Sequence, residues 1–141
     1  MSIWKTPLSL EELQKRCVNS FISHLNIVFT EVGDDYLKAE MPLGDHLMQP
    51  IGIMHGGASC SLAETVASAA ANYCVPQTHY CVGLDINTHH LRPATTGVLT
   101  ATARPYHLGK KTQVWSIEIH DGENNLISIS RLTLMALPKN L

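Results

Sequence analysis

Beyond Gln77 the chain alternates apolar and polar positions in four runs, Tyr80–Leu91, Gly97–Leu108, Thr112–His120 and Leu126–Leu137. A period of two over such lengths predicts strands with one buried face. Asp121-Gly122-Glu123-Asn124-Asn125 reads as a hairpin loop, and Leu108-Gly109-Lys110-Lys111 as a tighter connection. Upstream, Leu25–Val32 and Tyr36–Pro42 predict two more strands, joined by the turn formers Gly33-Asp34-Asp35. Ser9 is a suitable N-cap for a short helix with Glu11 and Glu12 in its first turn. The stretch Leu43–Met54, with Gly44, Pro50 and Gly52, reads as a loop. The segment from His55 to about Tyr73 is different: Ala58, Ala63, Ala67, Ala69, Ala70 and Ala71 crowd into it among Ser and Gly. Weak amphipathicity and small side chains predict a helix enclosed on most sides by other backbone. Two strands, a long helix and four strands make an α+β chain, one domain over residues 1–141. The sheet's second face and its edges would then favour oligomerisation.

Composition adds to this. Only 16% of the 141 residues are charged while 45% are hydrophobic, so a small chain carries few charges with which to solvate its surface. Cover by other subunits is the expected remedy. The net charge is −2 and no run of Lys or Arg occurs, which argues against a nucleic-acid or membrane partner. Lys110-Lys111 is the best local basic feature, sized for a phosphorylated small molecule. The four cysteines, Cys17, Cys60, Cys74 and Cys81, form no CxxC pair and no zinc spacing. Met1-Ser2-Ile3-Trp4-Lys5 leads into a polar segment rather than the apolar core of a leader peptide. Free thiols in a reducing cytoplasm are therefore expected.

Candidate chemistry centres on the alanine-rich helix. Between Asp45 and Asp85 the only formally charged residue is Glu64. A carboxylate in such surroundings costs free energy unless it is paired, hydrogen-bonded or facing a solvated groove. At the helix start, Gly56 and Gly57 present N–H groups that lack intrahelical acceptors and lie at the positive end of the dipole, a setting for an anion or oxyanion. Gln49 adds an amide donor upstream. Gly56 and Glu64 are eight residues apart, roughly 12 Å along one helix. If both serve one reacting carbon, they come from different subunits, and a two-fold axis pairing the helices antiparallel would bring them together.

These motifs carry a resemblance. Gln49-Pro50, His55-Gly56-Gly57-Ala58-Ser59, Ala63-Glu64, Gly83-Leu84-Asp85-Ile86-Asn87 and His90-Leu91-Arg92-Pro93 resemble the hot-dog thioesterases with a helix-borne glutamate. His107-Leu108-Gly109-Lys110 and Gln113-Val114-Trp115-Ser116-Ile117-Glu118 are similar too. The branch is that of the phenylacetyl-CoA and 4-hydroxybenzoyl-CoA thioesterases, and within it the bacterial 1,4-dihydroxy-2-naphthoyl-CoA hydrolases of menaquinone synthesis. The likeness implies a hot-dog fold, a long central helix wrapped by an antiparallel sheet of five to six strands, in a dimer-of-dimers tetramer. It implies acyl-CoA hydrolysis without a metal or other cofactor, CoA being part of the substrate. Glu64 would be nucleophile or general base, and the Gly56 N–H with Gln49 would polarise the thioester carbonyl. His55 would orient the loop and Ser68 would position water or the carboxylate. His90 would line the acyl pocket. Gly83, the segment His90, Leu91, Arg92 and Pro93, and the segment His107, Leu108, Gly109, Lys110, Lys111 and Thr112 would hold the CoA arm.

Other readings remain. A broad medium-chain acyl-CoA or carrier-protein thioesterase would use the same residues. A hot-dog dehydratase would need His55 and Glu64 poised about a 3-hydroxyacyl chain, but the Gln49–Gly57 pattern replaces the loop such an enzyme uses. A non-catalytic acyl-CoA-binding module would have no use for the lone acid. The eight histidines suggest no metal site: His89 and His90 point to opposite faces of a strand, and no HExxH occurs. Cys60 reads as a small packing group, Trp4 and Trp115 as core or interface, and Tyr73 and Tyr80 as candidate borders of an acyl pocket.

Overall fold

The computed structural model describes residues 1–140. Six strands, β1 (Val28–Val32), β2 (Leu37–Pro42), β3 (His79–His90), β4 (Val98–Leu108), β5 (Thr112–His120) and β6 (Leu126–Pro138), form one sheet in the order β1-β2-β4-β5-β6-β3. Every neighbouring pair is antiparallel. The long helix, α3 (Gly56–Tyr73), lies across one face of the sheet. Sequence pattern explains the close packing. Ala58, Ala63, Ala67, Ala70 and Ala71 of α3 are buried, and the strands beneath offer Ala39 opposite Ala101 and Leu37 opposite Ala103. Small residues on both surfaces let helix and sheet backbones approach, and Leu62, Val66, Trp115, Ile117 and Leu132 fill the remaining space.

Two short helices precede the sheet, α1 (Leu10–Arg16) and α2 (Phe21–His24). Ser9 caps α1, accepting from the Glu12 N–H. Residues 25–27, expected in the first strand, instead leave α2. Ser20 and Ser23 form a capping box, and Asn26 at φ 57° turns the chain into β1. A serine in place of the usual Glu or Gln hides this box from a sequence pattern.

One buried polar link ties α3 to the sheet. Gln113 Oε1 accepts from Trp115 Nε1 at 2.8 Å, and its Nε2 donates to the Ala71 carbonyl at 3.4 Å. Replacing Gln113 with Leu leaves the buried indole N–H without an acceptor, an expected loss of about 1–3 kcal/mol. A urea-unfolding free energy lowered by that amount, with activity per folded molecule unchanged, is the measurement that checks it.

Candidate active site

His55 is the N-cap of α3, extended at φ −63° and ψ 133°, and its Nδ1 accepts from the Gly57 N–H at 2.8 Å. A neutral His55 therefore carries its proton on Nε2. This corrects the expectation of two open donors: Gly57 is capped, and the Gly56 N–H alone has no acceptor among the described residues. The preceding loop folds back on itself. Met48 bridges Met54, the Gln49 N–H donates to Ile53 at 2.9 Å, and the His55 N–H donates to Leu47 at 2.8 Å. Gly52, at φ +84°, makes the turn. Gln49 is thereby carried toward the start of α3. Its Oε1 accepts from the Ile51 N–H at 2.7 Å, which leaves the carboxamide NH₂ as the available end.

Two turns farther along α3, Glu64 is half-buried and makes no hydrogen bond or ion pair among the described residues. It lines a cleft of about 430 Å³ with Thr65, Ser68 and Asn72 on one wall and Leu13, Ile22 and Phe29 on the other. Ser68 lies one turn beyond Glu64 on the same face. Gly83 of β3 packs against the carboxylate. A Cβ there would stand 2.6 Å from Glu64 Oε1, so only glycine leaves the acid its place. Asn72 fixes β3 beside the helix, accepting from the Cys81 N–H at 2.8 Å and donating to the Ser68 carbonyl at 2.8 Å. Cys17 also lines the cleft, but burial raises its thiol pKa and keeps it protonated at neutral pH. Cys74 and Cys81, pushed by burial to about 12 and about 11, are equally inert.

His90, at the far end of β3, covers the start of α3. A Cβ on Gly56 would stand 2.8 Å from His90 Nε2. The buried Ser59 hydroxyl donates to the Gly56 carbonyl at 2.9 Å and lies 3.2 Å from His90 Nδ1. A hydroxyl has one proton, so His90 Nδ1 donates to Ser59, and in a neutral ring Nε2 becomes the acceptor. Cys60 extends this polar strip, its thiol donating to Thr88 Oγ1 at 3.2 Å, with Ser130 at 2.8 Å beyond.

The sequence profile of the thioesterase superfamily matches residues 51–128. The chain belongs to the thioesterase superfamily. A Vibrio cholerae protein named as a candidate esterase is 52% identical over 134 residues, 95% of this chain and 89% of that one. The 1,4-dihydroxy-2-naphthoyl-CoA hydrolase of Escherichia coli is 42% identical over 135 residues, 96% of this chain and 99% of that one. The crystal structure of a Haemophilus influenzae thioesterase superposes with a TM-score of 0.94 at 46% identity, covering 96% of this chain and 95% of that one. The fold is accordingly the hot-dog fold, and the protein is a thioester hydrolase.

Within one thioesterase chain the expected site residues fall into two groups. Gln49, His55, Gly56 and His90 gather at the start of α3, and Leu91, Arg92 and exposed Pro93 continue from there, the first two N–H groups donating to Ile127. Glu64, Ser68 and Gly83 lie at the other end. The β4–β5 turn with His107, Leu108, Gly109, Lys110, Lys111 and Thr112 belongs to that end too, because Thr112 and Val82 both pair with Met135. On β6 the two ends are marked by Ser128, opposite His90, and Leu134, opposite Gly83. Six strand steps separate them, about 20 Å. Lys110 and Lys111 are exposed at the turn. Gly109 is required there, since a Cβ would stand 2.8 Å from the Thr112 carbonyl oxygen, a backbone atom that cannot swing away. Tyr73 lines the Glu64 cleft, whereas Tyr80 lies in a neighbouring depression.

The sequence reading did not anticipate the α1, α2 and β1 wall of this cleft, nor Ser59 as the partner of His90. The spacing of Leu10, Leu13 and Cys17 was the available signal for the wall, marking an apolar face on α1 that must pack somewhere. Among the described residues no cluster of His, Cys, Asp and Glu is arranged to hold a metal ion, and no helix is long and apolar enough to cross a membrane.

Proposed function

We propose that this thioesterase hydrolyses aromatic acyl-CoA thioesters, of the 1,4-dihydroxy-2-naphthoyl or benzoyl kind, to free acid and CoA. The observation that carries this reading is the Glu64 carboxylate, unpartnered in a cleft whose opposite wall is apolar apart from Arg16 at its edge. A thioester carbonyl placed there meets a nucleophile or general base with little competing water, while a flat apolar acyl group fits between α1, β1 and α3. The substrate of the Escherichia coli relative supports a fused-ring acyl group and, with it, a step in menaquinone synthesis. CoA enters as part of the substrate, and no further cofactor is needed.

Charge that develops on the carbonyl oxygen needs a donor, and the open Gly56 N–H at the positive end of α3, assisted by the Gln49 amide, is suited to that. His55 holds the loop, and Ser68 orients water or the acid. A second copy brings the two groups together. Gly56 and Glu64 centre on Cys60, and Gly83 and His90 centre between Ile86 and Asn87. The Cys60–Thr88 contact makes these two midpoints neighbours. One two-fold axis there would set Gly56 against the partner's Glu64 and Gly83 against the partner's His90. β3 is an edge strand with Leu84 56% exposed, a free edge of the kind that pairs with another chain. The CoA arm would then run past Gly83, His90–Pro93 and the His107–Thr112 turn. The outer sheet face, with exposed Tyr106 and Ile129, supports pairing of dimers into a tetramer. Four free cysteines suit a reducing cytoplasm.

A medium-chain acyl-CoA or carrier-protein thioesterase is the second reading, because the same apolar wall would accept an alkyl chain. Comparing kcat/KM for benzoyl-, naphthoyl- and octanoyl-CoA and for an acyl-carrier-protein thioester separates the two. The aromatic CoA esters should lead by about tenfold or more. A lead for the octanoyl or carrier-protein ester would replace the first reading with the second.

A further inference from the structure

Arg16 closes the last turn of α1 and lines the Glu64 cleft together with Ser68, Asn72 and Tyr73. It also lines the adjoining depression bounded by Asn72, Tyr73 and Lys139. That places it at the Asn72 end of the cleft, remote from Glu64. Glu64 and Asn72 are eight residues apart on α3, roughly 12 Å. Among the described residues the guanidinium takes part in no ion pair and no hydrogen bond. Glu12, one turn back on α1, lines that depression too, but it and Glu11 hold Lys15, at 3.4 and 3.0 Å, and neither pairs with Arg16. The helix that presents it is fixed, with Leu13 and Cys17 buried. Both ends of the Gln14 carboxamide are bonded where the chain enters β1, donating to the Ile27 carbonyl just before the strand at 3.1 Å and accepting from the Phe29 N–H at 2.9 Å.

Apart from this cation the wall facing α3 is apolar: Leu13, Cys17, Ile22 and Phe29. A slot with a carboxylate at one end, apolar walls between and a lone guanidinium at the other fits an acyl group that is apolar along its length and ends in a hydrogen-bond acceptor. A bare alkyl or aryl tail would reach the guanidinium with nothing to offer it. The CoA diphosphate and ribose phosphate would make no use of the apolar wall.

We propose that Arg16 is a specificity-determining residue that selects acyl groups bearing an acceptor, a ring hydroxyl or a carboxylate, at the end remote from the thioester. The inference rests on the thioesterase reading of the Glu64 cleft given above. Its test compares benzoyl- and naphthoyl-CoA esters with and without a distal hydroxyl or carboxylate, using the full chain, Arg16→Met and Arg16→Lys. The Met variant should lower the kcat/KM ratio of substituted to bare substrate by about tenfold, chiefly through KM, with Lys restoring part of it. An unchanged ratio in Arg16→Met overturns the proposal and leaves the thioesterase reading standing. So does a loss shared by all CoA esters but absent from the matching N-acetylcysteamine thioesters, which would assign Arg16 to the CoA arm. A full chain that hydrolyses none of the esters overturns the function and the proposal together.

Discussion

Glu64→Ala is expected to reduce kcat by about 10²–10⁴-fold, the range a positioned base contributes, with the fold and thermal stability retained or improved. The carboxylate is half-buried, touches Gly83 and has no partner among the described residues. Removing it breaks no hydrogen bond and relieves the burial of a charge. A merely structural acid would show the opposite pattern, with stability lost and activity per folded molecule preserved. Glu64→Gln keeps the shape and deletes the charge, and should fall as far as Ala. Steady-state kinetics alongside thermal denaturation reads both quantities, and near-normal turnover in either variant would remove Glu64 from the mechanism. Two routes pass through this residue. If Glu64 attacks the thioester, single turnover in heavy-oxygen water labels its carboxylate when the anhydride opens at the glutamyl carbon. If it activates water instead, the label goes only to the released acid.

The late strands were legible because each long run has one buried face, so a simple alternation marks them. The helix was legible for the opposite reason, an absence of bulky side chains where two backbones meet. The α2 turn was not, because its capping box uses Ser23 and its exit depends on a left-handed Asn26, neither of which leaves a periodic trace. For the site, helix arithmetic alone separated Gly56 from Glu64. Strand register extends that separation to the segments expected to hold substrate, with His90–Pro93 at one end and His107–Thr112 at the other. Which glycine N–H is open could not be read from sequence, since it turns on the rotamer of His55. The cleft wall was hidden for a different reason. Arg16 and Glu64 are brought to one cavity by the way α1 docks on β1 through Gln14, a long-range contact with no local signature.

Gly56→Pro isolates the donor half of the site. Gly56 is the first residue of α3, where proline's fixed φ is tolerated and its missing N–H breaks no helical bond. His55, at φ −63° and ψ 133°, already has the extended conformation that a following proline demands. The ring would press on His90 Nε2, the free end of a side chain that can move. Helix and fold should survive while the one open N–H disappears, and kcat should fall by about 10²–10³-fold, the usual effect of losing an oxyanion donor. Co-expressing this variant with Glu64→Ala then tests whether the site is shared. If the site is shared across a dimer, each variant alone has two broken sites per dimer. In a mixed dimer one site carries both lesions, and the other pairs an intact Gly56 with the partner's Glu64. Random assembly would return about a quarter of full activity, far above either variant alone. If Gly56 and Glu64 of one chain acted together, every site in the mixture would carry a lesion and no activity would return.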